Sequence, residues 1–364
     1  MPPEFVHPKP RTILRVVGQN GGGGARLHVY QLNKALENTG IRTMTIIPAP
    51  TFVDPFTSST LNGLDYRHSF TFQAIYEAAR RLSPDRDLIH SHLRNADALC
   101  SLVSRFTRIR HLITVHTPLF RGRLSVRDRA YYHLLRRAFT KATAIIFISN
   151  FIRNLTLSQL NLRDSDIRAY TIYNSSDDPG CRIPSTASDK LNVCLVGELT
   201  DRKGFADFES IILTLHAKRS SHSMHFHVFG DGPWRQRLEE LATKTGLLTV
   251  YGYRKDAETI YADKDINLML GRDEAFGRTI TEAKARGVPT VAYRAGAFPE
   301  LVRDGVDGVL AENPNELLHR LMQLATQPAD LLRMRQASRL DFERRFTVQR
   351  FAAENIAVLE EVAP

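Results

Sequence analysis

Short apolar runs alternate with longer amphipathic segments along this chain. The first run, Thr12–Val17, is followed by a tract of glycines and by a segment, residues 26–38, whose apolar residues recur at helical spacing. Further apolar runs predict strands at residues 43–48, 88–90, 112–115, 144–148, 167–173, 191–196, 225–229, 249–251, 266–270 and 290–293. This alternation is typical of parallel sheets whose strands are joined by crossover helices.

A polar segment, residues 174–190, interrupts the alternation. It is rich in Ser and Asp and broken by Pro and Gly, which is the composition of a linker. The length of 364 residues also favours two domains, since a single core stops growing at roughly 250–300 residues. We therefore predict an α/β chain with two doubly wound parallel-sheet domains, residues 1–178 and 179–345. A C-terminal helix, residues 346–364, is expected to pack back on the first domain.

The composition is that of a globular protein, with 43% hydrophobic and 24% charged residues. The three cysteines, Cys100, Cys181 and Cys194, are far apart, which argues against a disulfide framework or a zinc site and fits a reducing compartment. No apolar run approaches the roughly 20 residues of a membrane span, and the start, Met-Pro-Pro-Glu, has no signal-peptide pattern. We expect a soluble, cytoplasmic protein.

The net charge of +10 is concentrated in one segment. Between Arg105 and Lys141 there are ten Lys or Arg residues and one acid, Asp128. Such a patch suits nucleic acid, an anionic membrane face or a phosphorylated substrate, and a solvated helix face is the plain alternative. Nucleic acid is the weakest of these readings, because the chain has no helix-turn-helix, zinc-finger or RNA-binding signature.

The segment from Asp273 to Pro289 carries two carboxylates, Glu274 and Glu282, around a Phe-Gly turn. The flanking apolar runs predict the order strand, loop, helix, strand. Glu274 is then at the carboxyl end of a strand, where open α/β sheets bind ligands, and Glu282 is about two turns along the helix. The helix N-terminus between them suits an anion such as a diphosphate.

A second candidate is the glycine tract after the first strand. Gly21, Gly22, Gly23 and Gly24 let the backbone approach a ligand closely, just before a helix N-terminus. The tract matches neither the dinucleotide fingerprint nor a Walker A motif. A flexible loop is the alternative interpretation.

Candidate polar side chains also follow other strands. His116 ends a buried strand and faces the predicted crevice, although a lone His is often structural. Arg202 and Lys203 open a helix beside the crevice, where cations neutralise a diphosphate. Tyr253 follows a strand whose backbone would read the edge of a nucleobase.

The sequence predicts no metal site. None of the 13 histidines is in a HExxH arrangement. Two Asp-x-Asp triplets, residues 85–87 and 263–265, precede their strands and therefore lie at the amino ends, opposite the ligand crevice. We interpret both triplets as strand-entry turns.

The ordered set of motifs resembles the retaining glycosyltransferases of family 4. These enzymes have the GT-B fold, in which two Rossmann-like domains face a central cleft. The resemblance covers nearly the whole chain, and its most specific piece is the Glu274–Glu282 segment. Its other pieces are the glycine tract, residues 89–92, 115–118, 147–149, 173–174, 201–204, 230–233 and 251–253.

The resemblance implies a role for each candidate. Glu274 would contact the donor sugar and Glu282 the ribose hydroxyls, while Lys203 would bind the diphosphate and His116 would lie near the reaction centre. The remaining donor contacts are expected from Arg202, Tyr253, Phe276, Gly277, Arg278 and Thr279. Gly21 to Gly24 would close on the phosphates or the acceptor.

One position departs from the family pattern. An arginine usually follows the glycine of the Gly197 turn and shares the diphosphate with the lysine, but here that residue is Glu198. We hypothesise that Arg278 or Arg202 takes over this charge, with Arg278 favoured because it starts the helix at the phosphate. Weak or altered catalysis is the other possibility.

The resemblance implies a metal-independent, retaining glycosyltransferase without a cofactor. The donor would be a UDP-, GDP- or ADP-sugar bound to the second domain, and the acceptor would be a glycan or lipid-linked molecule bound to the first. Closure of the domains would exclude water, and the leaving phosphate would help to take the acceptor proton. A nucleotide-sugar 2-epimerase and a non-catalytic nucleotide-sugar binder are the alternatives.

The family context also gives the basic segment a use. Its arginines would hold the protein at the inner face of the membrane or bind a phosphorylated lipid acceptor, in surface polysaccharide or lipopolysaccharide synthesis. Those arginines are Arg121, Arg123, Arg127, Arg129, Arg136 and Arg137. The solvated helix face remains open as an alternative.

Overall fold

The computed structural model describes residues 12–18, 23–37, 39–47, 65–67, 70–120, 126–180, 190–218, 224–254 and 257–362. The chain divides into two compact units. The first unit comprises Met1–Asn174 and Val348–Pro364, and the second comprises Ser175–Thr347. These divisions fall a few residues from the predicted boundaries at 178 and 345.

The first unit is a parallel sheet covered by helices. Its strands are β1 (Thr12–Val17), β2 (Arg42–Ile46), β3 (Asp65–Arg67), β4 (Asp87–His92), β5 (Arg110–Val115), β6 (Ala144–Phe147) and β7 (Ala169–Thr171). The order across the sheet is β3-β2-β1-β4-β5-β6-β7, and every pair is parallel. The connections therefore reverse direction between β1 and β4, which defines the ligand-binding switch point of a doubly wound sheet.

The helices of this unit are α1 (Gly23–Leu36), α2 (Phe72–Ala79), α3 (Arg94–Thr107), α4 (Val126–Lys141), α5 (Asn150–Leu160) and the C-terminal α13 (Val348–Val362), with a 3₁₀ turn at Asp164–Asp166. Helix α13 belongs to this unit because its apolar face enters the first core. Phe351, Val358, Leu359 and Val362 are buried there with Ile13 and other sheet residues.

Helix α1 begins earlier than the sequence predicted. The predicted helix began at residue 26, after a glycine loop, but Gly23 and Gly24 already lie in the first turn. The buried stripe of the helix begins at Ala25 and continues through Val29 and Leu32, so packing extends the helix back into the glycines. Gly21 and Gly22 lie outside the described residues.

The second unit repeats the same architecture. Its strands are β8 (Leu191–Val196), β9 (Met224–Phe229), β10 (Leu248–Gly252), β11 (Ile266–Met269), β12 (Thr290–Tyr293) and β13 (Gly308–Ala311). The sheet order is β10-β9-β8-β11-β12-β13, all parallel, so the switch point lies between β8 and β11. The prediction of two doubly wound parallel-sheet domains is confirmed; β3 and β13 were not predicted.

The helices of the second unit are α6 (Phe205–Ala217), α7 (Arg235–Thr245), α8 (Ala257–Tyr261), α9 (Arg278–Ala285), α10 (Phe298–Leu301), α11 (Pro314–Thr326) and α12 (Pro328–Arg345), with a 3₁₀ turn at Asp201–Lys203. The core is a large apolar cluster between the sheet and its helices, including Phe208, Phe226 and Leu268. Among the described helices, none has the length and apolarity needed to cross a bilayer.

The two Asp-x-Asp triplets have equivalent structural roles in the two units. Oδ1 of Asp87 accepts from the backbone N–H of Thr12 at 2.9 Å, which ties the start of β4 to the start of β1. In the second unit, Oδ2 of Asp265 accepts from the backbone N–H of Asn192 at 2.8 Å. Both triplets therefore lie at the amino ends of their strands, as the sequence predicted, and stabilise strand entry.

Candidate functional site

The loops that follow β8 and β11 meet at the switch point of the second sheet. The loop after β8 forms the 3₁₀ turn Asp201–Lys203 and then enters α6 at Gly204. A Cβ at Gly204 would lie 2.4 Å from the carbonyl oxygen of Leu270, so only glycine lets the two loops approach this closely. This contact brings Arg202 and Lys203 beside Glu274.

Two cations converge on one carboxylate oxygen in this site. Nζ of Lys203 lies 2.5 Å from Oε1 of Glu274, and Nη1 of Arg202 lies 3.0 Å from the same oxygen. The Glu274 side chain is 11% exposed, whereas Lys203 and Arg202 are 20% and 34% exposed. The charges are thus shielded from water on one side and accessible on the other. Such a site can exchange its carboxylate partner for an incoming anion.

The backbone of Glu274 is fixed by the turn after β12. Its carbonyl accepts from the N–H of Ala297 at 3.0 Å. Gly296 has φ of +57°, and a Cβ there would lie 2.8 Å from the Glu274 carbonyl oxygen. The close approach therefore requires glycine, and it holds the carboxylate in place from behind.

Helix α9 begins directly after this loop. Gly277 is its N-cap with φ of +96°, and Arg278 is its first residue. Nε of Arg278 lies 3.9 Å from Oε1 of Glu282, one turn along the helix. Burial raises the pKa of Glu282 above its ordinary value, and the charge of Arg278 partly offsets this rise. Burial also lowers the pKa of Arg278. Glu282 and Arg278 are therefore a weak ion pair in surroundings that disfavour the charged form of each side chain.

One nitrogen of Arg278 lacks a partner in the part of the chain that the structure describes. Nη1 is buried and makes no hydrogen bond. Phe276, just before the helix, is buried, and Oγ1 of Thr279 donates to the sulfur of Met269 at 3.1 Å. The predicted residues 276–279 thus lie together at the start of α9, next to Glu274.

A pocket of about 360 Å³ opens at the carboxyl ends of β8, β9 and β10. Its walls are Val196, Gly197, Glu198, Phe229, Gly230, Asp231, Tyr253 and Arg254. A Cβ on Gly230 would lie 1.8 Å from the carbonyl oxygen of Gly197, so the floor depends on two backbones in close contact. Lys203 lies beside Gly197 at one end of this pocket, since its Cε would be 3.6 Å from a Cβ there. Lys203 therefore lies beside a residue of the pocket wall.

Glu198, the residue that departs from the family pattern, lies beside the candidate site. Glu198 is exposed on the pocket wall. The arginine that shares a partner with Lys203 is Arg202, whereas Arg278 pairs with Glu282. Arg202 is therefore the arginine that lies with Lys203, whereas the sequence favoured Arg278; which of the two meets a diphosphate stays a prediction.

In the first unit, His116 follows β5 and belongs to a cluster of buried histidines. Its Nε2 lies 3.0 Å from Nδ1 of His92, at the end of β4. The ring of His28, on α1, meets the His116 ring edge-on with centroids 4.7 Å apart. Nδ1 of His28 lies 2.8 Å from Oδ1 of Asn174. Of these residues the sequence pointed to His116; no local signal connects His28 to it, because α1 and β5 meet only in the folded unit.

Among the described residues, these three histidines also form a group whose spacing would suit a metal ion. The possible ligand atoms of His28, His92 and His116 lie within 4.8 Å of one another. No carboxylate of the described residues belongs to the group, and the guanidinium of Arg15 lies 2.7 Å from Nδ1 of the neighbouring His90. A cation would therefore meet a positively charged neighbour instead of a compensating acid. The absence of a metal from the protein stays a prediction.

The basic segment is partly described. Arg121 and Arg123 lie outside the described residues, as does the side chain of Arg127. Arg129, Arg136 and Arg137 are exposed on α4, while Leu135 and Phe139 on its other face are buried. Helix α4 is therefore amphipathic, with a basic outer face.

Comparison with known proteins identifies the class of this fold and site. Residues 182–341 match the family model of glycosyl transferases group 1, and residues 22–177 match that of glycosyltransferase family 4. The chain belongs to the family-4 type of glycosyltransferase. Its two doubly wound domains are those of the GT-B fold.

Individual relatives agree with this assignment. An uncharacterized glycosyltransferase of Methanocaldococcus jannaschii is 26% identical over 321 residues, covering 83% of this chain and 84% of the relative. A lipopolysaccharide core biosynthesis glycosyltransferase of Rhizobium meliloti is 28% identical over 130 residues, covering 35% and 36% of the two chains. The crystal structure of HepE from Anabaena, in complex with UDP, has a TM-score of 0.81 at 20% identity, covering 96% of this chain and 100% of that one.

Proposed function

We propose that this glycosyltransferase moves a sugar from a nucleoside diphosphate sugar to a glycan or lipid-linked acceptor, with retention of configuration and without a metal. The observation that carries the proposal is the convergence of Lys203 and Arg202 on Oε1 of Glu274 at the switch point. A diphosphate offers several charged oxygens to the same donors. It can therefore replace Glu274 as their partner and release the carboxylate to a sugar hydroxyl.

In this proposal, each part of the donor lies against a different part of the second unit. The nucleobase enters the pocket walled by Phe229 and Tyr253, and the diphosphate lies against Lys203 and Arg202. Glu274 then faces the sugar, and Glu282 on α9 faces the ribose. The Anabaena neighbour was crystallised with UDP and with UDP-glucose, which supports a nucleotide-sugar donor for the shared fold.

The chemistry of the proposal lies in the cations. As the bond between sugar and phosphate breaks, negative charge grows on the leaving diphosphate, and prealigned Lys203 and Arg202 stabilise that charge. The resemblance implies front-face attack, in which the leaving phosphate accepts the proton of the acceptor hydroxyl. No metal and no covalent intermediate is required by this route. Retention is measured directly as the anomeric configuration of the product, by NMR; an inverted product would exclude the mechanism.

A thermal-shift screen of UDP-, GDP- and ADP-sugars tests donor binding. A bound donor raises the melting temperature by mass action, and the rise should disappear in Lys203→Met but persist in Lys218→Met, an exposed lysine at the end of α6. The selected donor is then incubated with and without acceptor glycans. Conversion of the donor without an acceptor would point to a nucleotide-sugar 2-epimerase, and binding without any turnover would point to a non-catalytic binder.

We further propose that the enzyme works on surface polysaccharide or glycolipid, held peripherally at an anionic membrane by α4. The exposed Arg129, Arg136 and Arg137 and the lipopolysaccharide relative support this. Each basic residue at such a surface contributes about 1 kcal/mol. The double variant Arg129→Ala with Arg137→Ala should therefore bind anionic vesicles about 30-fold more weakly, while Arg333→Ala, exposed on α12, should not. Equal binding of the wild type to neutral and anionic vesicles would exclude the idea.

A further inference from the structure

The hydrogen bond between His92 and His116 restricts which of their ring nitrogens can carry a hydrogen. Nδ1 of His92 lies 3.0 Å from Nε2 of His116, so one of these two nitrogens carries a hydrogen and the other accepts it. Both rings are buried, at 0% and 6% exposure. The remaining nitrogen of His92 decides which direction the bond runs.

That remaining nitrogen, Nε2 of His92, is buried and makes no hydrogen bond within the described residues. A neutral imidazole has one N–H and one bare nitrogen. Buried N–H groups without an acceptor are rare, and bare acceptors are tolerated better. Nε2 is therefore the bare nitrogen, and Nδ1 of His92 carries the hydrogen and donates to Nε2 of His116. Burial lowers the pKa of His92 well below its ordinary value, which agrees with a neutral ring.

The hydrogen bond from His92 also determines which nitrogen of His116 carries a hydrogen. If Nε2 of His116 accepts, its hydrogen must be on Nδ1. A doubly protonated His116 would donate from Nε2 and force the hydrogen of His92 onto the buried Nε2, where it would lack an acceptor. We infer that His92 is a positioning residue that holds His116 as the neutral Nδ1–H tautomer, in which Nε2 of His116 is engaged by His92 and is not available as a general base.

The side chains around His92 and His116 have hydrogen bonds of their own. The guanidinium of Arg15 donates to Nδ1 of His90 at 2.7 Å, so His90 carries its hydrogen on Nε2 and donates to Thr114 at 2.7 Å. The edge of His28 packs on His116, and His28 is itself hydrogen-bonded to Asn174. His90 therefore has the opposite tautomer two residues away and serves as an internal reference.

The effect on catalysis rests on the proposed function and on the role near the reaction centre that the family resemblance implies for His116; the tautomer itself can be measured without substrate. Long-range ¹H–¹⁵N NMR of the imidazole rings in the full ¹⁵N-labelled chain reports which nitrogen is protonated. His92→Asn, His116→Asn and His90→Asn variants assign the signals. We expect Nδ1–H for His92 and His116 and Nε2–H for His90 near neutral pH. An Nε2–H tautomer or an imidazolium at His116 would overturn the inference.

The positioning role is tested by three substitutions at His92. Asparagine places its amide nitrogen near the position of Nδ1, glutamine places its amide near Nε2, and leucine fills the space without a donor. We expect kcat to fall about tenfold or more in His92→Leu and His92→Gln, the loss of one buried hydrogen bond. His92→Asn should recover to within about threefold of the wild type, while KM for the donor stays the same in all three. Melting curves check that each variant folds; where the leucine variant does not, the asparagine and glutamine variants still decide.

Two results contradict the positioning role: an asparagine variant no better than glutamine, or three variants with wild-type kcat. A third measurement concerns metal. A Zn²⁺ ion shared by His28, His92 and His116 that binds Nδ1 of His92 would remove the hydrogen that the inference places there. One zinc per chain that survives dialysis against chelator and is lost in His116→Asn would therefore overturn it, and we expect no retained zinc. If the wild type transfers no sugar at all, the proposed function fails, while the NMR measurement still tests the tautomer.

Discussion

Nζ of Lys203 and Oε1 of Glu274 lie 2.5 Å apart, although the two residues are 71 positions apart in the chain. They meet because β8 and β11 are neighbouring strands and the loops that follow them are in close contact at the switch point of the sheet. The pair joins the cation expected at the diphosphate to the carboxylate expected at the sugar.

Replacement of Lys203 by methionine should lower kcat/KM about 100-fold, the usual cost of removing one donor that stabilises transition-state charge. Donor affinity should fall as well, because the diphosphate loses a charged partner. Steady-state kinetics and donor titration measure both effects. The exposed Lys218→Met variant is the matched control. Wild-type kinetics in Lys203→Met would show that the diphosphate lies elsewhere.

Arg202, and not Arg278, should supply the second cation in place of the family arginine missing at residue 198. Arg202→Ala should weaken donor binding about tenfold, equivalent to 1.4 kcal/mol, and Arg202→Lys should recover part of the loss because Nη1 of Arg202 shares one oxygen with Lys203. Arg278→Ala should act mainly through Glu282 and the ribose. Comparison of UDP with uridine separates the two effects: Arg202→Ala should weaken UDP more than uridine. The reverse pattern would assign the diphosphate to Arg278.

Asp97 should make the first unit less stable as the pH rises. Oδ1 of this buried residue accepts from Ser91 at 2.6 Å, and burial raises the pKa from 3.8 to about 8 although that hydrogen bond lowers it. At pH values below 3.8 the carboxyl is protonated in both the folded and the unfolded chain. Between about pH 4 and pH 8 only the unfolded chain ionises, so the free energy of unfolding falls through this window.

Asp97→Asn removes this ionisation and should stabilise the protein by at least about 1.4 kcal/mol at pH 8, the equivalent of one pKa unit. Calorimetric melting of wild type and variant from pH 5 to pH 8 should show a difference that grows with pH. Asp263→Asn, at an exposed position, is the control. A difference that is constant with pH would contradict the prediction.

Lys284 should be essential for the stability of the second unit. Its Nζ lies 2.9 Å from Oδ1 of Asp307 and 2.8 Å from Oδ2 of Asp341, and its side chain has no exposed surface. Lys284→Ala leaves two buried carboxylates without this partner, which costs about 3–5 kcal/mol. Arg303 and Arg345 also contact these carboxylates and will offset part of the loss. The melting transition of this unit should fall by several degrees, whereas Lys244→Ala, exposed on α7, should leave it unchanged.

The fold was largely predictable because each strand is a short buried run with its own boundaries. The runs at Thr12–Val17 and Leu191–Val196 occur in the structure with the predicted ends. Strand β3 was missed because three residues, Asp65–Arg67, carry no apolar pattern. Strand β13 is four buried residues that follow a turn at Gly305, a length at which periodicity carries little information.

The Asp-x-Asp triplets show where local reasoning was sufficient. An aspartate before a strand accepts backbone N–H groups at the strand entry, and Asp87 and Asp265 both do so. The glycine tract shows the limit. Glycine alone favours a loop, but Gly23 and Gly24 are helical because the buried face of α1 begins at Ala25 and packs against the core. Tertiary packing prevailed over propensity, as it commonly does at helix ends.

The sequence by itself determined the two parallel sheets, the strand ends that carry Glu274, Lys203 and His116, and the family resemblance, because all of these follow from residue type and spacing within short segments. Only the tertiary structure decided which side chains meet there. It placed Arg202 with Lys203 on one oxygen of Glu274, and it placed His92 against His116. These contacts join loops and strands that are remote in sequence, and sheet order and burial determine them, which no local pattern encodes.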